Sequence, residues 1–477
     1  ELFSPSQPIP EFAQCYHLDS EFGRLRVEGP NPVQIERLTT LHDVQSWFPS
    51  INDQVLRQAL ALPHTTLKQA IQENRLFICN YRLNQEALLP KNPDLNRDSR
   101  WRSKYLPAPR VLFFDRDCGG DDTRRRELIP VAIFLDQKNA SAPNPLYIRG
   151  NDRKWTYAKT FAQAADLNTQ VLSSHLFRCH FVAEPFALST PRQLAPSHPL
   201  NILLEPHLRF TLTVNDQAFK LLKVRGKVFD NIYAGTIAET RELMIQSYHK
   251  WTFRDLNPTR DFATRGVLEY PEYYPYRDDI LLYWPVIHAF VSGYLSLYYS
   301  DDSAIEQDSQ LQRWIAELID PQKGNVNGLL NGEKLDSVAE LTEILTILLF
   351  TAGPQHAAVH YPQTDYFTFI PAYPGAPYAP PSEQPTSLPP GQLLDSLPPI
   401  ERAAEQFQTN QIANYRFDRF GHYDHYRLGR VRSATQIIAD FQAGLQNIEV
   451  TITARNQTRA RPYTYLLPTN VPNSINI

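Results

Sequence analysis

The chain has 477 residues, of which 42% are hydrophobic and 12% aromatic, so it can bury a sizeable core and is not a disordered protein. Its net charge of −4, with no long basic run, argues against nucleic acid as a partner. The four cysteines lie far apart without a CxxC pair, so we expect neither disulfides nor a zinc–thiolate site. A reducing compartment, the cytoplasm, is therefore the expected location.

The first third of the chain predicts a small amount of β structure. Residues 1–45 are rich in proline and are predicted to be irregular, with a short extended segment at 25–27. Residues 53–73 predict two short helices separated by a proline. Three apolar runs of strand length follow, at 76–79, 110–114 and 131–135. The last two are predicted to pair as a hairpin through the glycines and aspartates at 119–122.

Helical patterns dominate from about residue 151 onward. After the first long helix they recur at 236–250, 279–300, 307–319, 336–361 and 430–449. Residues 371–400 hold ten prolines and predict an extended connector, and residues 450–470 predict irregular structure. The apolar stretch 280–299 is long enough to suggest a membrane span, but its proline, histidine and glycine and its acidic flanks favour a core helix.

The longest helical pattern, at 154–185, carries His175 and His180 near its end. On a regular α-helix, positions five apart point about 140° away from each other, so these two imidazoles could not share a target. A π-helical turn, with its i→i+5 hydrogen bonds, would bring both onto one side. The spacing therefore predicts a π-bulge if the two histidines act together.

A second apolar stretch, at 341–361, carries His356 and His360. These are four positions apart and share one face of an ordinary α-helix. Two apolar helices, each presenting a pair of histidines inward, predict a buried metal site. The alternative is that all four are hydrogen-bonded core residues that bind nothing.

Six short segments follow one another in a fixed order. They are WTYAK from Trp155, SSHLFRCHFVAEP around His175 and His180, HPLNILLEPH from His198 to His207, YPYRDD from Tyr274 to Asp279 followed by Trp284, GPQHAAVH with His356 and His360, and the final NSINI. Each motif is weak alone. Together, from about residue 75 to the last residue, they resemble the lipoxygenases, non-haem iron dioxygenases of polyunsaturated fatty acids.

The resemblance implies a mainly α-helical, lipoxygenase-like catalytic domain with a small β element on its N-terminal side. The sequence has no room for the C2-like barrel that usually precedes this domain, so we expect one domain at 1–477. About 1–150 would form a mixed, peripheral part and 151–477 the helical metal-binding core. The chain looks like the bacterial or cyanobacterial members. We expect a monomer and leave peripheral membrane contact open.

The resemblance also implies a set of metal ligands. His175, His180 and His356 would be the firm ligands, His360 a fourth and looser one, and the free carboxylate of Ile477 the fifth. Water or hydroxide would fill the sixth position, and no side chain is expected to act as a general base or a nucleophile. Nitrogen and oxygen ligands suit iron, while manganese occupies the same site in some relatives. For Ile477 the alternative is an ordinary frayed terminus.

The implied reaction joins a polyunsaturated fatty acid and O2. A hydrogen atom is abstracted from the methylene between two cis double bonds, and dioxygen adds to the delocalised radical. Gln363 matches a family glutamine that links a metal ligand to the substrate, the alternative being a plain loop residue. Its usual partner position holds Val171, with Gln170 beside it, which departs from the family pattern.

The resemblance assigns five residues to the substrate pocket. Ala218 matches the position where alanine accompanies S products and glycine R products, and Leu222 matches a leucine that clamps the pentadiene. Ile232, Tyr233 and Leu167 match the pocket floor. A bulky Tyr233 would shorten the channel, which favours tail-first entry of a C18 acid and oxygenation near its methyl end.

These matches favour the 13S-hydroperoxide of linoleate or α-linolenate. Tyr373 agrees, because it stands where plant enzymes can hold an arginine that pairs the carboxylate during head-first entry. The alternatives within the family are a 9S or R-series lipoxygenase and a hydroperoxide isomerase. From another class, a zinc hydrolase would use the histidines with a carboxylate such as Glu184.

Overall fold

The computed structural model describes residues 11–87, 97–98, 102–105, 107–119, 126–135, 146–150, 152–223, 226–379, 391–412 and 414–477. Helices dominate these residues, as predicted. In chain order, α1 to α23 are Phe12–Cys15, Asp19–Glu28, Leu41–Trp47, Asp53–Leu60, Leu67–Gln72, Arg82–Ala87, Arg153–Thr169, Val182–Gln193, Pro199–Leu208, Thr211–Lys223, Val228–Ile232, Ile237–Lys250, Pro258–Thr264, Pro275–Ile280, Tyr283–Leu295, Asp302–Gln307, Ser309–Ile319, Val338–Phe350, His356–His360, Pro362–Phe367, Gln392–Asp395, Ile400–Ile412 and Thr435–Asn456.

The remaining elements are short. Strands β1 to β7 are Ile35–Arg37, Leu76–Asn80, Arg97–Asp98, Arg102–Ser103, Arg110–Asp117, Arg126–Phe134 and Leu146–Ile148. Two π-helices span Gln170–Phe181 and Thr351–Gln355. Short 3₁₀ helices span Phe253–Leu256, Leu428–Arg430, Arg432–Ala434 and Pro468–Asn470.

The β structure is one small antiparallel sheet, ordered β1-β2-β5-β6-β7, plus the separate pair β3–β4. Alternate side chains of the sheet enter two different cores, as the strand period of two requires. On β2, Leu76 and Ile78 face a small core formed with α3 to α5, whereas Phe77 and Cys79 face the main helical core. The predicted strands and the β5–β6 pairing are confirmed, while most of the predicted turn lies outside the described residues.

The extended segment predicted at 25–27 is wrong, because these residues lie inside helix α2. Arg24 pairs with Glu21 and Glu28, one helical turn before and after it, which stabilises the helix locally. Arg26 is buried and pairs with Asp166 of α7 at 2.9 Å. Arg26 therefore fixes α2 against α7, the helix that precedes His175 and His180.

The helical patterns predicted beyond residue 236 are confirmed, with two corrections. Residues 258–264, which lie between the helical patterns predicted at 236–250 and 279–300, form helix α13, whose first residue is a proline. The last long helix continues to Asn456, further than predicted. The stretch 280–299 contains α15, one face of which is buried in the core. No helix among the described residues combines the length and apolarity that crossing a membrane would need.

Candidate metal centre

A continuous helical run from Arg153 to Gln193 carries the first two histidines, and its middle is π-helical. The run begins where Asp152 accepts a hydrogen bond from the backbone N–H of Trp155. In the π segment His175 and His180 come onto one side, with their Nε2 atoms 3.0 Å apart. The π-bulge predicted from their spacing is confirmed.

The second pair lies on α19, directly after another π turn. That turn contains Pro354, which has no N–H to donate, so a wider turn accommodates the missing hydrogen bond. It also contains Gly353, where a Cβ would lie 2.7 Å from the ring of Phe420. His356 and His360 then follow on a regular α-helical turn. The close packing at Gly353 fixes the depth at which this pair enters the core.

The ring nitrogens of both pairs converge. His356 Nε2 lies 3.1 Å from His175 Nε2 and 3.2 Å from His180 Nε2, and His360 Nδ1 lies 3.0 Å from His175 Nε2. Imidazole nitrogens bind a divalent ion at about 2.0–2.1 Å, so two ligands of one ion lie about 2.9–3.4 Å apart. We call these four residues the histidine cluster, and the Nε2 atoms of His175, His180 and His356 have the spacing of ligands around one ion.

The protonation of the cluster also fits a metal. Burial lowers the pKa of His180 to about 4, and lowers the pKa values of His175 and His356 well below their ordinary range. Neutral imidazoles each have one N–H and one lone pair. His175 Nε2 faces three other ring nitrogens, more than one hydrogen atom or lone pair can satisfy. A shared cation would satisfy all of these lone pairs together.

Asn215, on α10, orients His180. Its Oδ1 lies 3.0 Å from His180 Nδ1, while its Nδ2 donates to the His180 carbonyl and to Glu184 Oε2. Since the amide nitrogen is committed as a donor, Oδ1 must accept the Nδ1 proton, and this leaves the Nε2 lone pair free to bind a metal. Sequence reasoning missed this role, although Asn215 lies only three positions before Ala218.

Gln363 contacts His175, as the resemblance implied. Its Nε2 lies 3.1 Å from His175 Nδ1, and turning the amide over would present Oε1 to a protonated Nδ1. Gln170 takes a different partner, because its Nε2 donates to the carbonyl of Val359, between the histidines of α19. Its Oε1 is buried and has no hydrogen-bond partner within the part of the chain that the structure describes. Gln170 thus ties the two histidine helices together directly.

The C-terminal segment is anchored beside α10. Thr211, the first residue of that helix, donates to the carbonyl of Ile475 at 3.3 Å, and Ser474 donates to the carbonyl of Arg209. The same helix carries Asn215, which holds His180. The half-buried Ile477 follows two residues after Ile475.

The five residues assigned to the pocket lie on three neighbouring helices. Leu167 is buried on α7, Ile232 and Tyr233 are buried at the end of α11, and Ala218 and Leu222 lie on α10. Asn168, next to Leu167, accepts a hydrogen bond from the backbone N–H of Ala234 and donates to the carbonyl of Gly375. A Cβ on Gly375 would lie 2.6 Å from the carbonyl of Ile232, so that position requires glycine.

This helical fold, with a buried cluster of neutral histidines, defines a metal-binding enzyme domain. The lipoxygenase family model matches residues 3–463. The chain is 32% identical to the linoleate 9/13-lipoxygenase of Pseudomonas aeruginosa over 490 residues, covering 98% of this chain and 68% of that protein. It is 30% identical to a polyunsaturated fatty acid lipoxygenase of Mus musculus over 469 residues, covering 97% and 67%.

A solved structure agrees over the full chain. A lipoxygenase crystallised anaerobically in complex with arachidonate superimposes with a TM-score of 0.89 at 28% identity, covering 100% of this chain and 70% of that one. The chain therefore belongs to the lipoxygenase family, a family of fatty-acid dioxygenases that use a non-haem metal.

Proposed function

We propose that this chain oxygenates the cis,cis-pentadiene of linoleate or α-linolenate to the 13S-hydroperoxide. One non-haem iron ion would be held by the histidine cluster and by the carboxylate of Ile477. The observation that carries the proposal is the convergence of three Nε2 atoms within 3.0–3.2 Å of one another. Iron that changes between ferrous and ferric states would supply the one-electron chemistry needed for hydrogen-atom abstraction.

The protein's own part in this reaction is placement. Asn215 accepts the proton on Nδ1 of His180, which directs the Nε2 lone pair toward the metal. Gln363 does the same for His175 when its amide is turned over so that Oε1 faces Nδ1. Burial keeps the imidazoles neutral, because it lowers the pKa values of His175, His180 and His356. Apolar walls from α7, α10 and α11 then position the pentadiene without offering a charged group to react with it.

The setting of Tyr373 supports tail-first binding of the fatty acid. Its hydroxyl accepts a hydrogen bond from Arg26, whose guanidinium already pairs with Asp166 at 2.9 Å. All three side chains are buried. Neither the tyrosine nor the arginine is therefore free to hold a substrate carboxylate at this depth, which favours a buried methyl end.

Metal analysis tests the ligand set. We expect one iron ion per chain, with manganese as the alternative, and deletion of Ile477 should lower metal content at least about tenfold because it moves the terminal carboxylate. Ile477→Val keeps that carboxylate and is the matched control. Full metal content after the deletion would remove Ile477 from the ligand set.

Chiral chromatography tests the product. Linoleate should give mainly the 13S-hydroperoxide, and Ala218→Gly should shift products toward the R series at the other end of the pentadiene, because the methyl no longer blocks that position. A dominant 9S product would overturn the regiochemistry. Conversion of added hydroperoxide without oxygen uptake would instead indicate a hydroperoxide isomerase.

A zinc hydrolase would need a catalytic carboxylate at the metal, and Glu184 does not face the histidine cluster. Glu184 accepts a hydrogen bond from Asn215 at 2.7 Å, on the far side of that amide from the histidine cluster. A catalytic zinc site also keeps three protein ligands, whereas four imidazoles gather here. Bound zinc without conjugated-diene formation would favour this alternative.

A further inference from the structure

A second cavity, of about 540 Å³, opens beside the π-helix Gln170–Phe181. Phe177, Arg178 and Phe181 line it, and Phe177 lies two positions after His175, a spacing that turns it toward the other side of the helix. None of the residues assigned to the substrate pocket lines this cavity. It is therefore distinct from the space beside the histidine cluster.

The cavity wall is mostly apolar and adaptable. Its lining includes the rings of Phe219, Tyr248, Trp251 and Phe253. Met244, the only methionine of the chain, also lines it, and its unbranched side chain can adapt to different apolar ligands. Ile245 at the rim is 48% exposed, an unusual state for isoleucine. Volume and lining together match a site for a flexible apolar chain.

The charges at the cavity have one sign. Arg178 and Arg241 line it, and no carboxylate does among the described residues. Arg241 is exposed and makes no hydrogen bond or ion pair within the described part of the chain. Arg178 is buried and stacks on Trp251 at 3.6 Å, and its Nε and Nη1 atoms have no hydrogen-bond partner among the described residues. Asp261 forms an ion pair with its Nη2 at 3.4 Å.

We propose that this cavity binds the carboxylate of a long-chain fatty acid, separately from the metal site. The carboxylate pairs with Arg241 at the rim, and the alkyl chain lies along the aromatic wall. The bound acid contacts Phe177, which lies between His175 and His180, and Phe181, which directly follows His180. A fatty acid bound in this cavity therefore contacts the helix that carries two of the histidines, although it lies outside the substrate pocket.

Photo-crosslinking locates the site. A diazirine analogue of palmitate is a suitable probe, because it has no pentadiene and cannot be oxygenated. Labelled peptides should come from α12 and from residues 177–182. Label confined to α7 and α11 would overturn the proposal, since it would place all binding in the substrate pocket.

Variants and stoichiometry sharpen the test. Arg241→Gln should weaken labelling of α12 by about threefold, the size of one exposed ion pair. Arg313→Gln should not, because this exposed arginine lies elsewhere and makes no hydrogen bond or ion pair with the described residues. Ile245→Glu, which puts a charge into the apolar rim, should weaken it at least about tenfold. With cetyl alcohol in place of palmitate, the difference between wild type and Arg241→Gln should vanish.

Calorimetry with palmitate gives an independent count. The wild type should bind two molecules per chain, one in each cavity, and Ile245→Glu one, with an unchanged melting temperature as the folding control. Equal stoichiometry in both proteins would overturn the second site. Neither readout uses oxygenation, so failure here leaves the proposed function standing, and a failed oxygenation assay leaves this site standing.

Discussion

Two buried histidine environments in this molecule differ in their hydrogen-bond partners. His207, on α9, is fully buried, and its Nδ1 lies 3.0 Å from the carbonyl of Asn473 while its Nε2 lies 3.1 Å from the hydroxyl of Tyr423. In the histidine cluster the Nε2 atoms of His175, His180 and His356 face other ring nitrogens, and His356 Nδ1 has no hydrogen-bond partner among the described residues. Burial lowers the pKa of His207 and of His180 alike to about 4.

The comparison shows that burial and pKa do not identify a ligand. Both environments keep imidazole neutral, so both could bind a metal by that measure alone. What differs is whether each ring nitrogen already has a protein partner. At His207 both nitrogens do, whereas the cluster leaves lone pairs that only a cation can satisfy together.

The largest effect should separate the two environments directly. His180→Ala removes one converging lone pair, so bound metal should fall and oxygen uptake with linoleate should drop by more than about 100-fold. His207→Gln is the matched control, because it changes a histidine of equal burial that already has two partners. We expect it to keep its metal, as measured by plasma emission spectrometry. Loss of metal in both variants would break the distinction.

The amides that orient the cluster should matter next. Asn215→Ala and Gln363→Leu each remove the group facing a histidine Nδ1, so metal affinity should fall about 10- to 100-fold. Gln363→Glu keeps an acceptor oxygen and should restore most of the affinity. Competition with a chelator measures the change. Asn410→Ala, which removes a buried amide bonded within α22, should have no such effect.

The sequence predicted the cluster but not its support. Spacing alone predicted the π turn, because histidines five apart can meet only if the helix widens. The motifs supplied Gln363 and the pocket residues. Asn215 and Gln170 could not be found this way, since their roles depend on how α10 and α19 pack against the π-helix. The helix at 25–27 was missed for the same reason, because Arg26 is explained by Asp166, 140 positions later.

The acid stability of the protein should also reflect His207. Its folded pKa of about 4 lies below the ordinary 6.5, so the unfolded chain binds the proton first. The contribution of His207 to the free energy of unfolding is fully present above pH 6.5. It is lost as the pH falls toward 4, and the loss for this one residue is at most about 3 kcal/mol. His207→Gln should therefore unfold with a flatter pH dependence in urea titrations between pH 7 and 4.5. An unchanged slope of the free energy of unfolding against pH would mean that another titrating group controls the acid stability.

The smallest effect is expected at His198, which like His207 is buried and has a partner at each ring nitrogen. Its Nδ1 accepts the backbone N–H of Leu200 at the start of α9, and its Nε2 lies 3.0 Å from Asp308. His198→Asn keeps a good capping side chain but loses the contact with Asp308, so stability should fall by about 1 kcal/mol or less. Metal content should not change, because both ring nitrogens are already satisfied by the protein. A tenfold loss of metal in this variant would show that a protein partner at each ring nitrogen does not exclude a histidine from metal binding. The same argument separates His207 from the histidine cluster, so that distinction would then fail.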